Sequence, residues 1–289
     1  MKLAGRYAII TGAGQGLGEA IAQQYVAEGA SVLLCARTVE SLASVRDRLV
    51  DRLSGDQQII IQQADVSAPA DIEGLVETAL TNFPHLDILV NNAGVYGPIG
   101  YLETIDWDEW VQAININLLG TVYASKAVLS HFKSRGYGKI VNLSGGGATG
   151  PLPRISAYAA SKSAVVRFTE TLAVEVADFG IDVNAMAPGA LATRLLDEVI
   201  EAGPDRVGRE FHERMLEVKA RGGTPLDAGA ALAVYLGSSE SDGISGRLIS
   251  AEWDNWQSLH HYREVLEKSD IYTLRRIVPA DRGLSLGDD

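Results

Sequence analysis

The chain has 289 residues, 46% hydrophobic and 21% charged, a balance typical of a globular protein with a sizeable core. Its formal charge of -12 argues against binding to nucleic acid or to an anionic membrane, because both require basic surface. The first residues carry no signal-peptide pattern, and no apolar run is long enough to span a bilayer. The single cysteine, Cys35, lies in an apolar strand pattern, so no intrachain disulfide can form. These features predict a cytoplasmic protein.

A glycine-rich turn follows the first predicted strand, residues 7–10, and leads into an amphipathic segment with helical spacing. Strand, glycine turn and helix form the context of a dinucleotide site, in which the helix N-terminus faces a pyrophosphate. A turn needed only for the fold is the other interpretation. The residues predicted to bind cofactor here are Gly12, Gln15, Gly16, Leu17 and Gly18.

The second predicted strand, Ser31–Ala36, ends without the acidic residue that usually binds the ribose of NAD. Arg37 follows directly, and a guanidinium at this position can pair with a 2'-phosphate. The sequence therefore favours NADP(H) over NAD(H). The alternative is a solvated arginine at the start of the next helix.

Further strand patterns alternate with helical ones along the chain. Strands are predicted at residues 59–66, 86–90, 139–143, 181–186 and 246–250, and helices at 39–53, 69–82, 107–132 and 156–179. Thr224 and Pro225 indicate the start of another helix, with the proline at its first position. Seven strands alternating with helices predict an α/β fold, a doubly wound parallel sheet of the Rossmann type with helices on both faces.

Asn92, Ala93 and Gly94 come directly after the strand at 86–90. Open α/β sheets bind ligands at the carboxyl ends of their strands, and small residues there leave room for a cofactor. The asparagine amides could equally tie neighbouring strands together.

Tyr158 and Lys162 stand four residues apart in the predicted helix at 156–179, so their side chains share one face. An ammonium beside a phenol stabilises the phenolate and lowers the pKa of the tyrosine. Such a pair can exchange a proton with an alcohol or carbonyl. The spacing alone is also common on solvated helix surfaces.

Together with Asn117 and the pair Pro188 and Gly189, these motifs resemble the short-chain dehydrogenase/reductase family, in its compact single-domain branch, over roughly residues 5 to 253. The resemblance implies an oxidoreductase domain over residues 1–253, with a substrate lid at about 194–223, and assembly into a homodimer or homotetramer.

The resemblance also implies roles for individual residues. Asp65 and Val66 would lie beside the adenine, and Thr193 would bind the nicotinamide carboxamide. Lys162 would bond the nicotinamide ribose, and the main chain of Asn117 would hold a water that links the lysine to solvent.

The sequence departs from the family pattern where the catalytic serine is expected. Counting back from Tyr158 places that serine at Gly145, whereas the serine of this chain is Ser144, followed by three glycines. A backbone shift that brings Ser144 to the substrate is one solution, and another donor, Thr149 or Ser156, is the other.

Residues 254–289 lie outside the family pattern. We expect this extension to pack on the same domain or on a neighbouring subunit, because it carries apolar residues between Ile271 and Val278. His260 and His261 lack a third ligand at suitable spacing, so no metal site is predicted.

These features predict an NADP(H)-dependent oxidoreductase that interconverts a secondary alcohol and a ketone, a small-molecule substrate. A ketoacyl-thioester or enoyl reductase is the alternative within the enzyme class. A catalytically inactive NADP(H)-binding regulator is the alternative outside it, motivated by Gly145.

Overall fold

The computed structural model describes residues 1–285, with one parallel sheet at their centre. The strands are β1 (Tyr7–Thr11), β2 (Ser31–Ala36), β3 (Ile59–Gln63), β4 (Ile88–Asn91), β5 (Gly138–Leu143), β6 (Ile181–Ala187) and β7 (Leu248–Ser250). Their spatial order is 3-2-1-4-5-6-7, and every neighbouring pair is parallel. The order reverses between β1 and β4, so a crevice opens there at the carboxyl edge. The predicted doubly wound sheet is confirmed.

Helices cover both faces of the sheet. They are α1 (Gly16–Ala27), α2 (Val39–Leu49), α3 (Pro69–Asn82), α4 (Trp107–Ile114), α5 (Gly120–Arg135), α6 (Ser156–Glu175), α7 (Arg194–Val207), α8 (Arg209–Ala220), α9 (Leu226–Gly237) and α10 (Arg263–Glu267). Strand residues alternate between the faces: Ile10 and Leu34 pack towards α1 and α9, whereas Ile9 and Leu33 pack towards α3 and α5. Two apolar cores result, one on each face.

Several predicted boundaries were wrong, each for a local reason. β3 ends at Gln63 rather than at residue 66, because the Asp65 amide donates to the Asp71 carboxylate and Asp65 Oδ1 accepts from Ser67. These bonds turn the chain away from the sheet. Pro225 is the N-cap of α9 and not its first helical residue. The long helix predicted from 107 to 132 is interrupted by a π-helical turn at Asn115–Leu119.

The C-terminal extension packs against its own chain. The Leu248 amide, on the outer edge of β7, donates to the Tyr272 carbonyl at 2.8 Å, which covers an otherwise open sheet edge. Trp256 and Leu266 are buried in the core beside α9. Ile271 and Ile277 remain exposed. The predicted assembly and the domain division at residue 253 remain predictions.

Arg247 holds this extension in place. Its side chain is only 8% exposed, and its guanidinium donates to the carbonyls of Ser269 at 3.0 Å, Ile271 at 2.8 Å and Leu266. Carbonyl groups buried without a donor are costly, so one cation organises a segment that has little regular structure.

We expect Arg247→Met to lower the free energy of unfolding by roughly 3 kcal/mol, because it leaves these carbonyls without their charged donor. Urea unfolding followed by circular dichroism measures the effect. Arg276→Met, at an exposed site in the same extension, is the matched control and should cost little. Equal losses in the two variants would contradict the role given to Arg247.

Among residues 1–285, no helix combines the length and apolar character needed to cross a bilayer.

Candidate active site

The crevice at the carboxyl edge of the sheet is a cleft of about 1230 Å³. It exceeds the volume of roughly 300–1,000 Å³ that usually holds one drug-sized ligand. Its walls come from the segments that follow all seven strands, together with α7 and α8. The cleft therefore has room for two ligands side by side.

The glycine turn forms a floor without side chains. Gly16, the first residue of α1, has φ +58°, a conformation that favours glycine. A Cβ on Gly18 would lie 2.3 Å from the Gly12 carbonyl oxygen and 2.6 Å from Asn92 Nδ2, closer than packing allows. Glycine at position 18 thus lets the turn pack closely on itself and on Asn92, and the turn residues line the cleft at the start of α1, as a pyrophosphate site at a helix N-terminus requires.

Asn92 ties this turn to the end of β4. Its Nδ2 donates to the carbonyl oxygens of Thr11 at 2.9 Å and Gly12 at 3.1 Å, and the Thr11 hydroxyl accepts from the main-chain amides of Asn92 and Ala93. The asparagine amide therefore joins neighbouring strands, one of the two roles considered from the sequence.

All the residues that the sequence predicted to bind cofactor line this one cleft. They are Gly12, Gln15, Gly16, Leu17, Gly18, Arg37, Asp65, Val66, Asn92, Ala93, Gly94, Tyr158, Lys162, Pro188, Gly189 and Thr193. Thr193 occupies the N-cap position of α7 without a capping hydrogen bond from its side chain.

Arg37 lies at the end of the cleft next to β2. Its side chain is exposed, and no other side chain or carbonyl of residues 1–285 forms a hydrogen bond or ion pair with its guanidinium. Thr38 and Ser41 line the cleft beside it. Sequence reasoning missed these two hydroxyls, although their positions one and four residues after Arg37 were a usable signal.

Tyr158 and Lys162 project from the first two turns of α6 into the middle of the cleft. Lys162 Nζ donates to the Leu143 carbonyl at 2.7 Å and lies 5.6 Å from the centroid of the Tyr158 ring. The ring of Tyr96 meets that of Tyr158 edge to face, with centroids 4.7 Å apart. Tyr96 was not singled out from the sequence, although it follows the end of β4, where ligand-binding residues are expected.

Burial changes the proton affinity of both groups. It raises the pKa of Tyr158 above its ordinary value, and the neighbouring Tyr96 adds to this rise. It lowers the pKa of Lys162 to about 8. The expected lowering of the tyrosine pKa by the lysine is therefore absent from the protein alone, where desolvation sets the direction of the shift. Tyr158 consequently keeps its proton at neutral pH.

Asn117 lies in the π-helical turn, fully buried behind the cleft. Its Oδ1 accepts from the Val95 amide at 2.9 Å, and its Nδ2 donates to the Val95 carbonyl and to Ser161 Oγ. These bonds join α4 and α5 to the loop after β4 and to α6. The extra residue of a π turn explains how an asparagine is accommodated within the long helical segment.

Ser144 is one of the cleft residues, yet it is only 3% exposed, and its buried Oγ has no hydrogen-bond partner among the described residues. Thr149 also lines the cleft. Ser156 does not, and its Oγ accepts from Trp110 Nε1 at 3.0 Å. Of the three hydroxyls considered from the sequence, that of Ser156 is therefore outside the cleft and already in a hydrogen bond with Trp110.

Gly145 lies directly against Tyr158. A Cβ at this position would stand 2.2 Å from Tyr158 Oη and 3.1 Å from its Cζ. The tyrosine hydroxyl therefore occupies the space that a side chain at position 145 would need. Glycine, which stands where the family pattern has serine, therefore suits the observed position of Tyr158, because it has no side chain to collide with the hydroxyl.

Three further groups that drew attention in the sequence lie apart from the cleft. Cys35 is fully buried in β2, where desolvation raises the pKa of its thiol to about 12. The rings of His260 and His261 contact each other at a tilt of 46°, with centroids 3.9 Å apart. Residues 1–285 hold no cluster of three or more His, Cys, Asp or Glu side chains arranged for a metal ion.

A parallel sheet with its cleft at the reversal of strand order, floored by a glycine turn, defines a dinucleotide-binding protein of the Rossmann class. The model of the short chain dehydrogenase family matches residues 6–203. The chain therefore belongs to the short-chain dehydrogenase/reductase family, and it is a nicotinamide-dependent oxidoreductase.

Characterised relatives align over most of their length. A 3beta-hydroxysteroid dehydrogenase of Eggerthella lenta is 33% identical over 256 residues, which cover 86% of this chain and 94% of the relative. Glucose 1-dehydrogenase 2 of Bacillus subtilis is 34% identical over 251 residues, which cover 86% and 93%. These two relatives are named for different substrates, so sequence identity of 33–34% does not define the substrate of this chain.

Solved structures give the same fold. NAD+-bound xylitol dehydrogenase superposes with a TM-score of 0.76 at 26% identity, covering 86% of this chain and 98% of its own. A gluconate 5-dehydrogenase from Burkholderia cenocepacia, in complex with NADP and tartrate, gives 0.75 at 28% identity, covering 86% and 94%. Because both cofactors occur among these neighbours, they do not determine the preference of this chain.

Proposed function

We propose that this protein interconverts a secondary alcohol and a ketone, with Tyr158 as the general acid or base. The observation that carries the proposal is the convergence of Tyr158, Lys162 and Ser144 on one cleft, next to a glycine turn suited to a dinucleotide. A bound nicotinamide supplies or accepts the hydride at the carbonyl carbon.

The protein's own residues handle the proton. Tyr158 retains its proton at neutral pH and gives it to the carbonyl oxygen during reduction. Lys162 is positioned by the Leu143 carbonyl and is largely charged at neutral pH, so it steadies the phenolate as this forms. Its remaining donors would bond the nicotinamide ribose.

Ser144 would donate a hydrogen bond to the substrate oxygen. Its buried Oγ has no hydrogen-bond partner among the described residues, which supports this role, because the hydroxyl would gain a hydrogen bond by turning towards a substrate in the adjacent cleft. Asn117 would hold the water that links Lys162 to solvent. Its side chain is fixed by bonds to Val95 and Ser161, and its main-chain carbonyl accepts from the Thr121 hydroxyl at 2.9 Å. The second lone pair of that carbonyl would hold the water.

The test of the reaction class is oxidation of NADPH and NADH by the full chain against ketones, sugars and ketoacyl thioesters. We expect turnover with ketones. Preferred turnover of thioesters would favour the alternative enzyme class. Tight cofactor binding without turnover of any carbonyl would contradict the proposal and favour a binding regulator.

We further propose that NADP(H) is the preferred cofactor, bound through Arg37. The Arg37 guanidinium has no hydrogen-bond or ion-pair partner among residues 1–285, and with the nearby hydroxyls of Thr38 and Ser41 it suits a 2'-phosphate. Arg37→Ser should therefore raise the Kd for NADPH about 10- to 100-fold, since hydrogen bonds to charged groups contribute about 1.5–3 kcal/mol. The Kd for NADH should barely change.

Isothermal titration calorimetry measures both constants. Arg46→Ser removes an α2 arginine whose guanidinium pairs with the exposed Asp47, its one ion-pair partner among residues 1–285, and this variant is the matched control. Equal affinity of the wild type for NADPH and NADH would contradict the cofactor proposal. A cytoplasmic location and a homodimer or homotetramer remain part of this proposal.

A further inference from the structure

The cleft beyond Tyr158 is walled by apolar side chains from three separate segments. They are Tyr96, Leu152, Leu196, Phe211, Met215 and Val218. All six belong to one hydrophobic cluster, against which the Tyr158 ring also packs. This wall is therefore continuous with the proposed proton donor, and a substrate whose oxygen meets Tyr158 must lay its body against it.

α8 presents most of this wall. Phe211, Met215 and Val218 follow helical spacing and face the cleft, and Met215 is 8% exposed. Arg214 borders them at the rim, where its guanidinium lies over the Phe211 ring at 5.0 Å. Leu216, on the outer side of the same helix, is 43% exposed and does not line the cleft.

Five side chains with a carboxylate or an amide line the described cleft. Gln15, Asp65 and Asn92 belong to the part predicted to bind cofactor. Glu252 accepts from Thr224 Oγ1 at 2.8 Å, and Asp254 accepts from the Ser250 amide at 2.7 Å. None of the five lies on α7 or α8, the helices that supply Leu196, Phe211, Met215 and Val218 to the wall. A site that selects a polyol needs several such groups converging on its hydroxyls.

From this wall we infer that the substrate is a ketone or alcohol with a bulky apolar body, such as a fused-ring or branched hydrocarbon, rather than a sugar or polyol. The inference rests on the proposed alcohol and ketone chemistry. It makes Met215 a specificity-determining residue, because its thioether lies on the wall and stands apart from the proton-transfer groups.

The experiment compares kcat/KM for 2-decalone, cyclohexanone, D-glucose and xylitol, each with the appropriate oxidised or reduced cofactor. We expect 2-decalone to exceed cyclohexanone by about tenfold, since each buried methylene contributes and the second ring adds several. The two polyols should be poorer by still larger factors.

Met215→Asn should raise KM for 2-decalone by about tenfold or more while changing kcat little, because it places a polar group on an apolar wall. Leu216→Asn is the matched control on the same helix, and both variants are checked for an unchanged melting temperature. If the melting temperature of Met215→Asn is lower than that of the wild type, Met215→Leu is the second variant. Its KM for 2-decalone should be close to the wild-type value, because leucine keeps the wall apolar.

Polyols that turn over as well as 2-decalone, or an unchanged KM in Met215→Asn, would overturn this inference and leave the alcohol and ketone chemistry standing. Absence of turnover with every compound, including those of the wider carbonyl panel, would instead refute the proposed reaction and this inference with it.

Discussion

The Tyr158→Phe variant is expected to lose about 10²- to 10⁴-fold in kcat, the usual contribution of a positioned general acid or base. Phenylalanine keeps the ring that packs edge to face against Tyr96, so the fold and the cofactor affinity should be preserved. Only the proton donor is removed. Initial rates with the best carbonyl substrate, at saturating cofactor, measure the loss.

Tyr123→Phe is the matched control, since this half-buried tyrosine belongs to α5 and does not line the cleft. Its kcat should stay within a factor of two. If Tyr158→Phe retained a tenth or more of wild-type turnover, the proton would have to come from another group. Loss of cofactor affinity in the same variant would show that the ring had moved and that the comparison of rates was invalid.

The Gly145→Ser variant, which restores the residue usual in the family, is expected to lower kcat about 10- to 100-fold rather than to raise it. A side chain at this position collides with Tyr158 Oη and with its ring carbon Cζ. The ring packs edge to face against Tyr96, so a shift that makes room for the new side chain would move the hydroxyl away from its position in the cleft. A displacement of about 1 Å can cost roughly 10²-fold in rate.

Gly146→Ser is the control for this experiment, because a Cβ on Gly146 meets no atom within 4 Å and its φ is not in the left-handed region. It adds the same hydroxyl one residue further along without the collision. Turnover that rises in Gly145→Ser would contradict the expected collision. It would mean that the loop adapts and that the missing serine hydroxyl limits the natural enzyme.

These two variants separate the proposed roles. Tyr158→Phe removes the proton donor and leaves its position intact, whereas Gly145→Ser keeps the donor and alters its position. A large loss of kcat in Tyr158→Phe with no loss in Gly145→Ser would support Tyr158 as the acid. It would also show that the loop containing Gly145 can move more than its packing indicates.

Local patterns were sufficient for most of the architecture. Alternation of short apolar strands with amphipathic helices follows from the periods of the two structures, so the sheet and its helices could be read from the chain. The cofactor-binding end was predicted for the same reason, since glycine spacing and strand ends are local features. The error at Asp65 arose from the bond of its amide to the Asp71 carboxylate, and the π turn that holds Asn117 was missed in a segment whose asparagine bonds to Val95, 22 residues away in sequence.

The sequence by itself determined the fold class, the glycine turn and the pairing of Tyr158 with Lys162 on one helix face. Only the tertiary structure decided that Gly145 lies against the tyrosine hydroxyl, since this contact joins the loop after β5 to α6. It also decided the direction of the Tyr158 pKa shift, because desolvation depends on every group that surrounds the ring. The apolar wall was hidden for the same reason: residues from 96 to 218 meet there through packing, which no local pattern encodes.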